Sequence, residues 1–114
     1  MISGIFIPIF RNVRRWYYLI AVTVTQTGIT VDGHAGYAET GNDIICAAVS
    51  VLAQSLIHGL EALTDDCIYY RVQAGHIEIG YENLSEQGRL LVDSFFIAIC
   101  DIQETYGDRY VRII

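Results

Sequence analysis

Cys46 and His34 are the pair of side chains in this sequence best suited by type and spacing to covalent chemistry. They fall within the string G-H-A-G-Y-A-E-T-G-N-D-I-I-C-A-A-V-S, residues 33–50, with the His 12 positions ahead of the Cys. A helix is predicted to open near Asp43. From there to Leu63 the chain has no Pro, and Ile45, Val49, Leu52, Leu56, Leu60 and Leu63 recur at helical spacing. Cys46 then falls in the first turn, where backbone N–H groups lack intrahelical partners and the helix dipole favours an anion. A thiol so placed, alone or beside a His, can have its pKa lowered from about 8.5 to roughly 3.5–7.5.

His34 is predicted at the end of a strand, with a loop after it long enough to fold back on the helix start. Its imidazole could take the thiol proton and later return it to a leaving amine. Backbone N–H groups at the same helix start could hold the oxyanion of a tetrahedral intermediate. Spacing alone leaves a second reading open, because a Cys among Ile44, Ile45, Ala47 and Ala48 is usually a small buried hydrophobe.

The whole string is more specific than the pair. It resembles the signature of the Prp family of bacterial cysteine proteases: His-Ala, a glycine-bearing loop, Gly-x-Asp, two aliphatics, then Cys-Ala and a nearby Ser. The resemblance places the family's catalytic His on His34 and its catalytic Cys on Cys46. The Gly and Asp before the helix fall on Gly41 and Asp43, and the Ser on Ser50. It implies a cysteine endopeptidase that removes a short N-terminal extension from the twenty-seventh protein of the bacterial large ribosomal subunit. It also implies cleavage after an apolar, Phe-containing segment, and a homodimer.

Three neighbouring features have two readings each. Asp43 is either the N-cap of the helix or an acceptor that orients His34. Ser50, four residues after Cys46 and on the same helical face, either hydrogen-bonds the sulfur or bonds back to its own helix. The loop Ala35, Gly36, Tyr37 to Gly41, Asn42 either joins strand to helix or closes over bound peptide, its glycines and sparse apolar anchoring making it mobile in the absence of substrate.

The elements that must position this string are legible on both sides of it. Tyr17 to Val24 and Ile29 to Asp32 read as strands joined at Gln26-Thr27-Gly28, and Ile68 to Gln73 and His76 to Tyr81 as strands joined at Ala74-Gly75. Ser85 can cap a second helix to about Tyr106, with Leu91, Phe95, Ile99 and Ile102 on one face and Gly107 ending it. Tyr110 to Ile114 adds a short edge strand. The order ββαββα(β) predicts an α+β two-layer sandwich, with a mainly antiparallel sheet of four or five strands and two long helices. Residues 1–16 read as an N-terminal extension and 17–114 as a single protease domain.

Composition agrees with a globular chain of 114 residues: 53% hydrophobic, 18% charged, one Pro. Thirteen acidic residues against seven basic give a net charge of -6, which disfavours nucleic acid and reads either as plain solubility or as suited to a basic protein substrate. Cys46, Cys67 and Cys100 are an odd, widely spaced set with no zinc pattern, pointing to a reducing, cytoplasmic setting and to no metal or other cofactor. Cys67 and Cys100 are expected to pack in the interior. His58, within the helical run, and His76, beside a turn, have no zinc spacing to any Cys.

The run Met1 to Phe10 has its basic residues after it and contains Pro8, the wrong order for a signal peptide and too short for a membrane span. Tyr69, Tyr70 and Tyr81 could line a peptide groove, or pack within the sheet. Two other functions stand against the protease: a non-catalytic ribosome-associated binding or assembly module, and a redox thiol sensor, which would want a resolving Cys nearby.

Overall fold

The computed structural model describes residues 19–33 and 44–114. The extension 1–16 therefore lies outside the described residues, as do His34, Ala35, Gly36, Tyr37, Gly41, Asn42 and Asp43. Strands β1 (Ile20–Val24) and β2 (Gly28–Asp32) form the first hairpin. Helix α1 (Ile44–Leu63) follows, then β3 (Ile68–Gln73) and β4 (His76–Tyr81), then helix α2 (Glu86–Tyr106) and β5 (Val111–Ile113). The sheet order is β3-β4-β2-β1-β5. Every pairing is antiparallel except β1 with β5, which is parallel. This is the α+β two-layer arrangement expected from the element order.

Register explains the two faces of the sheet. Val22 lies opposite Val31, Val31 opposite Ile77, Ile29 opposite Ile79, and Ile20 opposite Val111. All seven are buried, so one face is a continuous β-branched layer. Alternation puts the intervening residues on the other face, where Asp32 lies opposite His76, and Thr30 and Arg71 each lie opposite Glu78. Gly80 has no side chain on that face, and the ring of Tyr69 from the opposite strand occupies its place. A Cβ on Gly80 would sit 1.9 Å from that ring.

Helix α1 closes the apolar layer with Ile45, Val49, Ala53, Leu56, Ile57 and Leu60, all buried. This stripe is wider than the expected one and shifted from it. Ala53 and Ile57 belong to it, Leu52 is only half-buried, and Leu63, at the last position of the helix, is 69% exposed. Leu63 was expected on the buried face, but α1 ends there. Helix α2 contributes Val92, Phe95 and Ile99, with Leu91 and Ile102 packed at the margin. By length and composition α1 could cross a membrane, with mean hydropathy 1.6. In this fold its apolar stripe is one wall of the core.

A polar relay joins the end of α1 to the start of α2. The Thr64 hydroxyl donates to Leu60 O (2.6 Å) and accepts from Asp66 N (3.1 Å). The Asp66 carboxylate accepts from Ser85 N (3.0 Å) and Ser85 Oγ (2.8 Å), and Ser85 Oγ accepts from Gly88 N (3.0 Å) as the N-cap. Gly88 lies against that carboxylate, since a Cβ there would be 2.1 Å from Asp66 Oδ2. At the other end, Gly107 takes φ 104° and its N–H donates to Gln103 O (2.8 Å), ending α2 where glycine was expected to end it.

Candidate active site

Cys46 is the third residue of α1, in the first turn, and is half-buried. The β-branched Ile44 and Ile45 precede it, and Ile45 is fully buried. That burial anchors the helix start against the sheet, so the sulfur is held at a packed element and not on a loop. Ser50 follows one helical turn later and shares the same face.

Both residues line one small, open cleft between the start of α1, the end of β2 and the β3–β4 turn. Ile20, Val31, Val49 and Ile77 line it together with Cys46, Ser50, Gln73 and His76. Gly33 and Gly75 complete it. Gly33 is the last described residue before the loop and His34 is its successor in the chain. The structure thus brings Cys46 and Ser50 to the cleft that the chain reaches one residue before His34.

The end of β2 is fixed at several points. Gly33 N donates to Gly75 O at 2.8 Å. Gly33 itself has φ 102°, and a Cβ there would lie 2.1 Å from Leu19 O, so only glycine fits. Asp32 and His76, opposite each other in the register, pair through Asp32 Oδ1 and His76 Nδ1. The carboxylate accepts, so the ring donates from Nδ1. His76 Nε2 lies 3.9 Å from Glu78 Oε1, which in turn lies 4.0 Å from Arg71 Nη1.

The Asp32–His76 pair is not legible from spacing. Its two residues are 44 positions apart, and only the β2–β4 register makes them neighbours. The usable signals were local: Asp32 stands directly before Gly33-His34, and His76 directly after the Gly75 turn. His58 is on the exposed face of α1 and takes no part. Of the remaining thiols, Cys100 is only half-buried, short of the interior position expected for it. Cys67 is exposed, contrary to the expectation that it packs, because it sits in the connection just before the edge strand β3, beyond the helix layer. Of the hairpin tyrosines, Tyr81 is buried, whereas Tyr69 (63% exposed) and Tyr70 (46%) stand out on that same edge strand.

The family model described as cysteine protease Prp matches residues 19–112. The chain belongs to the Prp family of cysteine proteases. The match runs through β1, β2, both helices and the second hairpin into β5, so the Prp assignment rests on the whole domain and not on residues 33–50 alone. The ribosomal processing cysteine protease Prp of Staphylococcus aureus (strain Mu50 / ATCC 700699) is 27% identical over 96 residues, 78% of this chain and 91% of that protein.

Among solved structures, the S. aureus Prp bound to a covalently linked product peptide superposes with a TM-score of 0.73 at 24% identity. The match covers 83% of this chain and 95% of that one. SMU.848 from Streptococcus mutans has a TM-score of 0.70 at 28% identity, over 83% and 91%. The two-layer fold of this chain is therefore the Prp fold, and the enzyme is a cysteine protease.

Proposed function

We propose that this protease cleaves a peptide bond with Cys46 as nucleophile and His34 as general base. Its substrate in this reading is the precursor of the twenty-seventh protein of the bacterial large ribosomal subunit, which loses its N-terminal extension. The observation that carries the reading is the position of Cys46, in the first turn of a 20-residue helix and facing a cleft. The dipole at that helix start favours the thiolate and the oxyanion that forms beside it.

The steps balance without any cofactor. The Cys46 thiol gives its proton to the His34 imidazole, and the thiolate attacks the scissile carbonyl carbon to form a C–S bond. The C–N bond then breaks, and the departing amine takes the proton from His34. Water next gives a proton to His34 and its oxygen attacks the thioester, the C–S bond breaks to release the new carboxyl end, and the Cys46 thiolate takes the proton back from His34. Asp43 is the candidate to orient His34 or cap α1, and Ser50 the candidate to hydrogen-bond the sulfur. Gly41 stands where the family's glycine precedes the helix, and Ala35, Gly36, Tyr37 and Asn42 belong to the loop proposed to cover bound peptide.

Support for a peptide substrate comes from the S. aureus Prp structures, one with a substrate peptide and one with a product peptide. The net charge of -6 suits a basic ribosomal protein, and three thiols outside any disulfide suit the cytoplasm. A homodimer is part of the same reading. Ile44 (54% exposed) and Val51 (66%), seven residues apart on one face of α1, give a second copy apolar surface to cover. Incubation of the purified chain with the precursor protein, read by intact mass, tests the proposal. Loss of the N-terminal extension is expected, and an unchanged precursor mass overturns it.

A further inference from the structure

Strand β3 closes one side of the sheet, and among the described residues no strand lies beyond it. Successive residues of an antiparallel strand turn their N–H and C=O groups to opposite neighbours. Tyr81 N donates to Thr27 O at 3.0 Å, on the β2 side, so Ile77, Ile79 and Tyr81 serve β2, and His76, Glu78 and Gly80 serve β3. The β3 partners of those last three are Gln73, Arg71 and Tyr69. Ile68, Tyr70 and Val72 therefore turn their main-chain groups to the open edge. Their side chains belong to the face that carries the helices, yet Tyr70 and Val72 are each 46% exposed, and Tyr69 stands out on the other face. Sheet edges are commonly blunted by Pro, Lys or a bulge. Strand β3, Ile-Tyr-Tyr-Arg-Val-Gln, has none of these: its register with β4 is unbroken and Arg71 is its one charge.

We propose that the β3 edge binds a second copy of this chain, the two β3 strands pairing antiparallel about a two-fold axis at Tyr70. The proposal rests on the homodimer of the reading above and names its surface, independently of the cleavage chemistry. The edge is complementary to itself in one register. Centred on Arg71, the pairing would set two guanidinium groups opposite each other, and like charges so placed repel. Centred on Tyr69, it would set Val72 against Asp66, whose carboxylate is committed to Ser85. Centred on Tyr70, it sets Tyr70 opposite Tyr70 and Ile68 opposite Val72, and these are the residues whose main-chain groups are open. On the other face Tyr69 then lies opposite Arg71, an aromatic ring against a cation. A two-fold pairing of this kind repeats each contact and joins both sheets into one. The exposed Ile44 and Val51 on α1 are the competing surface for a second copy.

Sedimentation velocity of the full chain tests the surface, and a dimer is the expected state. Tyr70→Lys places like charges opposite each other at the axis and raises the dimer dissociation constant at least about tenfold, with the circular dichroism spectrum unchanged. Val51→Lys leaves that constant within about twofold. The register is read by cross-linking. A Tyr69→Cys chain is mixed with an Arg71→Cys chain and oxidised with copper phenanthroline. In the proposed pairing the two Cα atoms are about 4.5 Å apart, within disulfide reach. Peptide mass spectrometry is expected to find position 69 of one copy joined to position 71 of the other, and no 71–71 link in the Arg71→Cys chain alone.

A monomeric chain overturns the homodimer and the edge together. A dimer that Val51→Lys dissociates and Tyr70→Lys does not, or a 71–71 disulfide, overturns the edge alone and leaves the homodimer standing. A monomer in which Tyr70→Lys weakens binding of a peptide spanning the precursor's cleavage site assigns the edge to substrate and overturns the second copy.

Discussion

The amide of Gly33 donates to the carbonyl of Gly75 at 2.8 Å, tying the residue ahead of His34 to the turn that carries His76. The two glycines both take positive φ, 102° and 77°, which L side chains rarely adopt. Gly33→Ala is therefore expected to cost about 2 kcal/mol or more, from the strained φ and from overlap of its Cβ with Leu19 O. Urea unfolding gives the stability change, and peptide cleavage should fall with it. A Gly33→Ala chain as stable as the unaltered one would mean that the strand end relaxes freely.

Ser85 and Asp66 make a second checkable contact. Ser85→Ala removes the N-cap of α2 and one donor to Asp66, so a loss of roughly 1–2 kcal/mol is expected. Asp66→Ala removes the other side of the same contact. In a double-mutant cycle the two losses should be clearly non-additive, and additive losses would show that the relay is incidental.

Tyr81 predicts a specific alkaline transition. Its hydroxyl donates to Thr25 O at 2.9 Å, and burial, with a smaller contribution from the Asp93 charge, raises its pKa above the ordinary 10.0. The folded pKa is above the unfolded one, so the fold favours the neutral phenol. That contribution is complete below the unfolded pKa and is lost as pH rises through the folded one. Unfolding free energy measured from about pH 9 to about pH 11 should decline more steeply for the unaltered chain than for Tyr81→Phe. At neutral pH the same variant should lose about 1 kcal/mol with its hydrogen bond.

Both hairpins and both helices were legible because each is a local pattern. Alternation marks the strands, helical spacing and the absence of Pro mark α1, and Ser85 and Gly107 punctuate α2. What escaped is non-local. The buried stripe of α1 includes Ala53 and Ile57 and omits Leu63, since it depends on where the sheet and α2 meet the helix and not on a fixed period. Cys67 looked like a packing residue because nothing in its neighbours says that β3 becomes the sheet edge. The helix-start position of Cys46 was legible because the loop and the helical spacing around it are local patterns. The pairing of His76 with Asp32 is not legible, because the two become neighbours only through the β2–β4 register.

The thiols separate accessibility from activation. Cys67 is exposed, whereas Cys46 and Cys100 are half-buried, so exposure alone predicts that Cys67 is alkylated first. Activation at the α1 start predicts that Cys46 reacts first instead, most clearly at about pH 6.5, where an ordinary thiol is almost wholly protonated. Brief iodoacetamide treatment followed by peptide mass spectrometry gives the order.

The central claim, that Cys46 forms the covalent bond to the substrate, is tested most directly by trapping. A peptide ending at the cleavage site of the ribosomal precursor, with its terminal carbonyl converted to a chloromethyl ketone, places an electrophile where the scissile carbon would sit. Intact mass should show one peptide added per chain, and fragmentation should place it on Cys46. Pre-incubation with uncleaved substrate should slow the reaction, and the Cys46→Ala chain should take up none. Attachment at Cys67 or Cys100, or peptide-dependent labelling that persists in Cys46→Ala, would contradict the account.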